Sequence, residues 1–313
     1  MGALTGGQQG AGSLTTADVM RWVLAALAPG LLIAGHFYGV RYLVSLVGAM
    51  ALALAVEALA LRLQGRATDR ALRDGSALVT AALLVLALPP NVPWHVLAIA
   101  ILAALGLGKH LYGGLGNNPF NPAIVGYAVV LLSFPAALAD WPATTDGLSG
   151  ATALTTFKYR EGLTVADVWR AELGFGTLGG HPAEWLNLAF LGGGLLLAWR
   201  RLLAWRIPVA LLGTLGVLAL LGYDQGSSSS LGSPFYHWFS GATMLGAWFF
   251  ATDPVTHPSS RRGQILFGCL IGAVTYAIRS FGSFPDGIAF GILLANGCSA
   301  WLDRPRPARE DPA

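Results

Sequence analysis

The 313-residue chain is 54% hydrophobic and only 11% charged, with a mean hydropathy of +0.59. A soluble domain of this length carries about a quarter charged residues, so an integral membrane protein is implied. The net charge of +3 comes from basic residues in short loops between apolar runs, not from a patch, which excludes a nucleic-acid binder.

In chain order, residues 1–18 open as MGALTGGQQGAGSLTTA. They lack a basic segment followed by an apolar core, and read as a disordered or vector-derived tail rather than a signal peptide. Ten apolar runs follow, at about 19–36, 41–62, 76–92, 94–109, 120–138, 184–200, 206–222, 239–253, 263–280 and 286–302. A span needs about twenty apolar residues, fewer when the helix is tilted or broken. The expected fold is an all-α polytopic membrane protein of about ten transmembrane helices. Its parts are a first five-helix set at 19–138, a polar insert at 139–183, a second set at 184–302 and a tail at 303–313.

The two sets match at one offset of 165 residues. Arg41, Val44, Leu46 and Gly48 map to Arg206, Val209, Leu211 and Gly213; Pro89 maps to Pro254 and Gly126 to Gly291. Each set has an odd number of spans, so the second enters the bilayer upside down, the inverted-repeat plan of many transporters. With the N-terminus cytoplasmic, fourteen of the 19 Lys and Arg residues fall inside and five outside. The positive-inside tendency therefore places both termini in the cytoplasm and the insert on the outer face.

The tetrapeptide SGAT occurs twice, at 149–152 in DGLSGATALTTFK and at 240–243 in SGATMLGAWFFATDPVT. In the first, Asp146, Ser149, Gly150 and Ala151 surround Thr152 with small or polar groups. No adjacent His or Lys activates that hydroxyl, so the segment suits modification by another enzyme, although an SGAT in a loop is ordinarily just a turn. In the second, Ser240, Gly241 and Ala242 open the eighth apolar run, and Gly246 extends a small-residue stripe suited to close helix contact.

Polar groups inside spans are expensive and are candidates for function. The run Asn117-Asn118-Pro119-Phe120-Asn121-Pro122 reads as a helix break. Asn121 maps onto Asp286, and Pro254 adjoins Asp253. The expectation is that Asn118, Asn121, Asp253 and Asp286 gather at one pseudo-symmetric polar or ion site near the midplane. Glu57 lies near the end of the second run, where snorkelling to the interface competes with ion coordination. The six histidines show no metal-ligand spacing, and Cys269 and Cys298 lie alone in apolar runs. No metal centre is expected.

The segments KHLYGGLGNNPFNPAIVGYAVVLLSFP, DGLSGATALTTFK, SGATMLGAWFFATDPVT, RRGQILFG and IRSFGSFPDGIAFGILLAN closely resemble the RnfD component of the Rnf ion-translocating electron-transport complex. The similar NqrB component of the sodium-pumping NADH:quinone reductase usually has a longer N-terminal extension. The resemblance to this RnfD/NqrB family runs from about Asp18 to Arg306 and keeps the motif order. It implies a bacterial inner-membrane flavoprotein in a complex that couples ferredoxin–NAD electron transfer to proton or sodium movement. It further implies FMN on Thr152 through a phosphoester bond, installed from FAD by a separate flavin transferase, with Asp146, Ser149, Gly150 and Ala151 as the recognition frame. Many relatives have Pro after this threonine, where the chain has Ala153. A second flavin, non-covalent riboflavin, is implied beside Asn118 and Asn121. The other membrane and iron–sulfur subunits of the complex, and membrane lipid, are the implied partners. The rival is a transporter or channel of the same inverted plan without redox work, since fold does not dictate function.

Overall fold

The computed structural model describes residues 14–68, 72–142, 152–160, 162–171 and 176–303. Asp146, Ser149, Gly150, Ala151 and most of both terminal tails therefore lie outside the described residues. The described residues are helical, without strands.

The first set comprises α1 (Thr16–Tyr38), α2 (Val40–Leu63), α3 (Ser76–Ala87), α4 (Trp94–Gly106) and α5 (Pro122–Ser133). Beyond a break the fifth run ends in α6 (Pro135–Ala139), and the insert contributes α7 (Ala153–Lys158) and α8 (Val165–Ala171). The second set comprises α9 (Ala183–Trp199), α10 (Arg206–Leu221), α11 (Pro234–Phe239), α12 (Thr243–Leu245), α13 (Arg261–Phe281) and α14 (Ile288–Leu302). Thr16–Tyr38, Val40–Leu63, Trp94–Tyr112 and Arg261–Phe281 are long and apolar enough to cross a membrane; five shorter helices are apolar. The protein is membrane-integral.

Three boundaries differ from the sequence expectation. The helix starts at Thr16, inside the expected tail, because Thr15 and Asp18 form a reciprocal capping box that satisfies two of its orphan amides. The fifth run breaks at Phe134, which has φ −134° and ψ 53°, because a residue before proline is pushed out of the helical region. The eighth run, expected over 239–253, is not one helix. It is extended at Ser240, left-handed at Gly241 and helical over Thr243–Leu245, and then widens into a π-type turn over Gly246–Phe250.

α1 and α9 run antiparallel. The Arg200 guanidinium, just beyond α9, lies 4.1 Å from the Trp22 ring centroid near the start of α1. At the opposite end, Phe37 meets the His181 ring at 4.7 Å. Gly193 lets the two backbones approach, since a Cβ there would collide with the Ala26 carbonyl. Small residues serve this purpose in membranes, where apolar side chains gain nothing by leaving lipid. One continuous core runs through both sets, including Leu27, Leu84, Ile101, Leu211, Phe267 and Ile292.

Candidate functional site

The insert's α7 has only six residues, far too few to persist alone, so it is held by what it docks against. Leu154 and Phe157 are buried. Phe157 packs on Tyr236 with ring centroids 4.5 Å apart, and Trp169 closes the group at 6.2 Å from Phe157. Tyr236 Oη donates to the Ala153 carbonyl at 3.4 Å.

Three consecutive side chains extend this docking. Lys158 Nζ donates to the carbonyls of Ile278 (2.9 Å), Arg279 (3.1 Å) and Phe284 (2.9 Å). Tyr159 Oη donates to Ser283 O at 3.1 Å. Arg160 donates to the carbonyls of Phe157, Leu163, Ser228 and Ser230. Burial lowers both the Lys158 amine and the Arg160 guanidinium below their ordinary values. The Lys158 ammonium also complements the negative end of the α13 dipole.

Thr152 is the N-cap of α7. Its Oγ1 accepts from the Thr155 amide at 3.3 Å and pairs with Thr155 Oγ1 at 2.8 Å. Among the described residues both partners lie within its own turn, and the residue is half-buried. Among the described residues, an ester on this oxygen would break no tertiary hydrogen bond. Thr243, the last residue of the second SGAT, is the opposite case. It is fully buried. Its Oγ1 is 2.8 Å from His237 O, 2.9 Å from Ser240 O and 2.8 Å from Arg279 Nη2.

The second SGAT is thus a polar junction as well as a close-packed one. Arg279 is buried and reaches Asp286 Oδ1 at 2.9 Å and His237 O at 2.7 Å. Asp286 also accepts from the amides of Ala242 (3.1 Å) and Ile288 (3.2 Å). Ser240 Oγ donates to Gly179 O at 2.6 Å. Asn187 donates to Phe239 O and Gly241 O, and accepts from the Met244 amide at 2.8 Å. Gly241 has φ +56°, a conformation that costs other residues about 1–2 kcal/mol.

Of the four residues expected at one midplane centre, Asn121 and Asp253 share a chain of hydrogen bonds through Asn296 and Thr256, while Asp286 lies in a different network. The Asn296 carboxamide donates to Thr256 O at 3.3 Å and the Thr256 amide to Asp253 O at 3.2 Å. Asn121 caps α5 by accepting from the amides of Ala123 (3.0 Å) and Ile124 (3.3 Å), and donates to Phe250 O at 3.3 Å. Its backbone amide donates to Asn296 Oδ1 at 3.1 Å. Asn118 donates to Phe120 O at 3.1 Å and accepts from the Gly116 amide. Asp253 accepts from the Val255 amide at 3.2 Å. Asp286 belongs to the Arg279 junction instead. The reason is local: Arg279, near the end of α13, brings a buried guanidinium within 2.9 Å of the Asp286 carboxylate.

Glu57 does not snorkel. It is buried, with Oε1 2.7 Å from Lys109 Nζ and Oε2 2.9 Å from His110 Nε2. Lys109 also donates to Ser76 Oγ at 2.8 Å. A cavity of about 140 Å³ adjoins this cluster, lined also by Arg66 and Asp74. His237 is likewise buried and bonds Leu231 O at 2.9 Å. Sequence reading missed Lys109, Arg279, Asn187 and Lys158. A lone Arg279 in an apolar run, seven residues before Asp286, was the available signal for one pair.

The NQR2, RnfD, RnfE family profile matches residues 9–309. The D-type subunit of the ion-translocating oxidoreductase complex of Pseudomonas paraeruginosa is 47% identical over 94% of this chain and 92% of that protein. The proteins of the same name from Pseudomonas aeruginosa strain UCBPP-PA14 and Vibrio vulnificus strain YJ016 are 46% and 40% identical. They cover 94% and 92% of this chain, and 92% and 93% of their own lengths. With the profile spanning nearly the whole chain, and relatives this similar end to end, the chain belongs to the NQR2, RnfD, RnfE family.

Proposed function

We propose that this chain is the D-type membrane subunit of an ion-translocating oxidoreductase complex of the Rnf kind and carries FMN covalently on Thr152. The observation that carries this reading is the contrast between the two SGAT threonines. Among the described residues, one hydroxyl is half-buried and engaged only within its own turn; the other is buried and engaged by three groups. Only the first can become a phosphoester without dismantling the protein.

In this reading the chain sits in a bacterial inner membrane with both ends cytoplasmic and the insert outside. Two features support it. The insert's Lys158 and Tyr159 meet α13 at its C-terminal end, next to the 283–284 loop. Two basic residues in the charge count, Lys109 and Arg279, are buried in ion pairs, and the inside bias survives their removal. An inverted repeat is supported by the offset. Shifted by 165 residues, the starts of α1 to α5 fall within two residues of those of α9, α10, α12, α13 and α14.

When bound, FMN supplies the redox chemistry, taking and releasing electrons that the complex moves between ferredoxin and NAD. The chain supplies the anchor oxygen of Thr152, a docked α7, and a water-excluding base of Leu154, Phe157 and Tyr236. A flavin transferase would install the group, with Asp146, Ser149, Gly150 and Ala151 as its recognition frame. Riboflavin beside Asn118 and Asn121 belongs to the same proposal. It would have to coexist with the backbone hydrogen bonds these carboxamides already make.

Intact-mass analysis of protein purified from cells containing a flavin transferase tests the reading. The expected result is one added FMN, localised to the peptide containing Thr152 and absent in Thr152→Ala. An unmodified wild-type chain overturns it and leaves a non-redox membrane scaffold.

A further inference from the structure

Three successive residues of the insert, Lys158, Tyr159 and Arg160, make hydrogen bonds to carbonyls of two separate segments, the last turn of α13 with the 283–284 loop after it, and the 228–230 loop. An ammonium has three N–H donors and no acceptor, and Lys158 aims all three at main-chain oxygens. Charge-assisted bonds of this kind are roughly twice as strong as neutral ones. Arg279 is tied in twice. Its carbonyl receives Lys158, while its guanidinium holds Asp286 and Thr243 beneath.

The position of α7 is further set from below. A Cβ on Gly241 would lie 2.5 Å from Leu154 Cδ1. Leu154 is therefore seated on the bare glycine, two residues beyond Thr152. The short helix is held at its N-terminal side by Leu154 and at its C-terminal side by Lys158. A group on Thr152 would then leave the chain from a fixed point and direction.

We infer that Lys158 is a positioning residue: by clamping α7 to the outer end of α13, it holds the group carried on Thr152 in one place instead of letting it swing with the insert. This rests on the reading that Thr152 carries FMN. The geometry adds that the attachment is rigid, which matters because small displacements of reacting centres cost large factors in rate.

The test uses the intact complex with Lys158→Met, Lys158→Arg and Tyr159→Phe. Covalent flavin is counted by mass, its local motion is read by time-resolved fluorescence anisotropy, and α7 amides 153–158 are followed by hydrogen exchange. Wild type is expected to show anisotropy that decays only with tumbling of the whole complex. Lys158→Met should lose about half of that residual anisotropy through nanosecond motion, with flavin content unchanged and faster amide exchange. Lys158→Arg should restore most of it. Tyr159→Phe, which removes one bond, should show a smaller loss in the same direction and decides the matter if Lys158→Met does not assemble.

Unchanged anisotropy in flavin-loaded Lys158→Met overturns the proposal, as does unchanged anisotropy in Tyr159→Phe where that variant decides. Wild type without covalent flavin overturns both this proposal and the functional reading. Hydrogen exchange then still reports whether the clamp exists.

Discussion

Leu154 rests on Gly241: a Cβ built on that glycine would approach Leu154 Cδ1 to 2.5 Å and would also collide with Asp286 Oδ2. The residue following the first SGAT by two positions is thereby seated on the second SGAT. One tetrapeptide is the candidate attachment point, and the other is the floor under it.

Gly241→Ala tests this contact. The substitution combines a left-handed backbone, φ +56°, with overpacking against Leu154 and the Asp286 carboxylate. We expect a loss of about 1–3 kcal/mol, read as a lowered melting temperature in detergent. Leu154→Ala in the same background should recover part of the loss, because it removes one of the two obstructions.

The two threonines should separate cleanly. Thr152→Ala is expected to abolish in-gel flavin fluorescence and to leave thermal stability nearly unchanged, since it removes only a cap, worth about 1 kcal/mol. Thr243→Ala should retain the flavin signal and lower stability by about 1–3 kcal/mol, the cost of leaving buried partners of that hydroxyl unsatisfied. Thermal melts paired with denaturing-gel fluorescence distinguish the two outcomes.

The Glu57–Lys109–His110 cluster is predicted to be strongly non-additive. Lys109→Met removes the ammonium 2.7 Å from a buried carboxylate. Stripping one partner from a buried pair costs about 3–5 kcal/mol. Adding Glu57→Gln to Lys109→Met should therefore restore stability, and a double-mutant cycle of melting temperatures measures the coupling. Additive losses would contradict the pairing.

Asp303, just beyond α14, gives a pH prediction. Burial alone would raise its carboxyl. Hydrogen bonds from the Ser259 amide (2.8 Å), Ser259 Oγ (2.6 Å) and the Ser260 amide (2.8 Å) outweigh burial and hold it well below the ordinary carboxylate value. A depressed folded value means the carboxylate stabilises the fold above its unfolded pKa of about 3.9, and loses that effect as pH falls through the folded value. The melting difference between wild type and Asp303→Asn should be constant from about pH 7 to 5 and shrink below about pH 4. A difference that grows on acidification would contradict the arrangement.

Most helix positions were legible in the sequence because apolar runs and caps act locally. Pro135 shows the limit. Its effect on Phe134 is also local, but it was masked by the apolar character on both sides. The eighth run was misread for a different reason. The left-handed turn at Gly241 exists to accommodate Leu154 and Asp286, 87 and 45 residues away in the chain, and nothing within the run announces either.

By itself, the sequence determined that this is a polytopic membrane chain with a polar insert, and it marked Thr152 within a family pattern. Hydrophobic length, charge asymmetry and short motifs are properties of contiguous residues, so they survive in a string of letters. Only the tertiary structure decided that Glu57 pairs with Lys109, that Asp286 serves Arg279 instead of joining Asn121, and that Lys158 pins the insert to α13. Each of these joins a side chain to a group on a different element. Charges could be matched on paper in several ways, and helix packing selects the one in which Glu57 meets Lys109 and Asp286 meets Arg279.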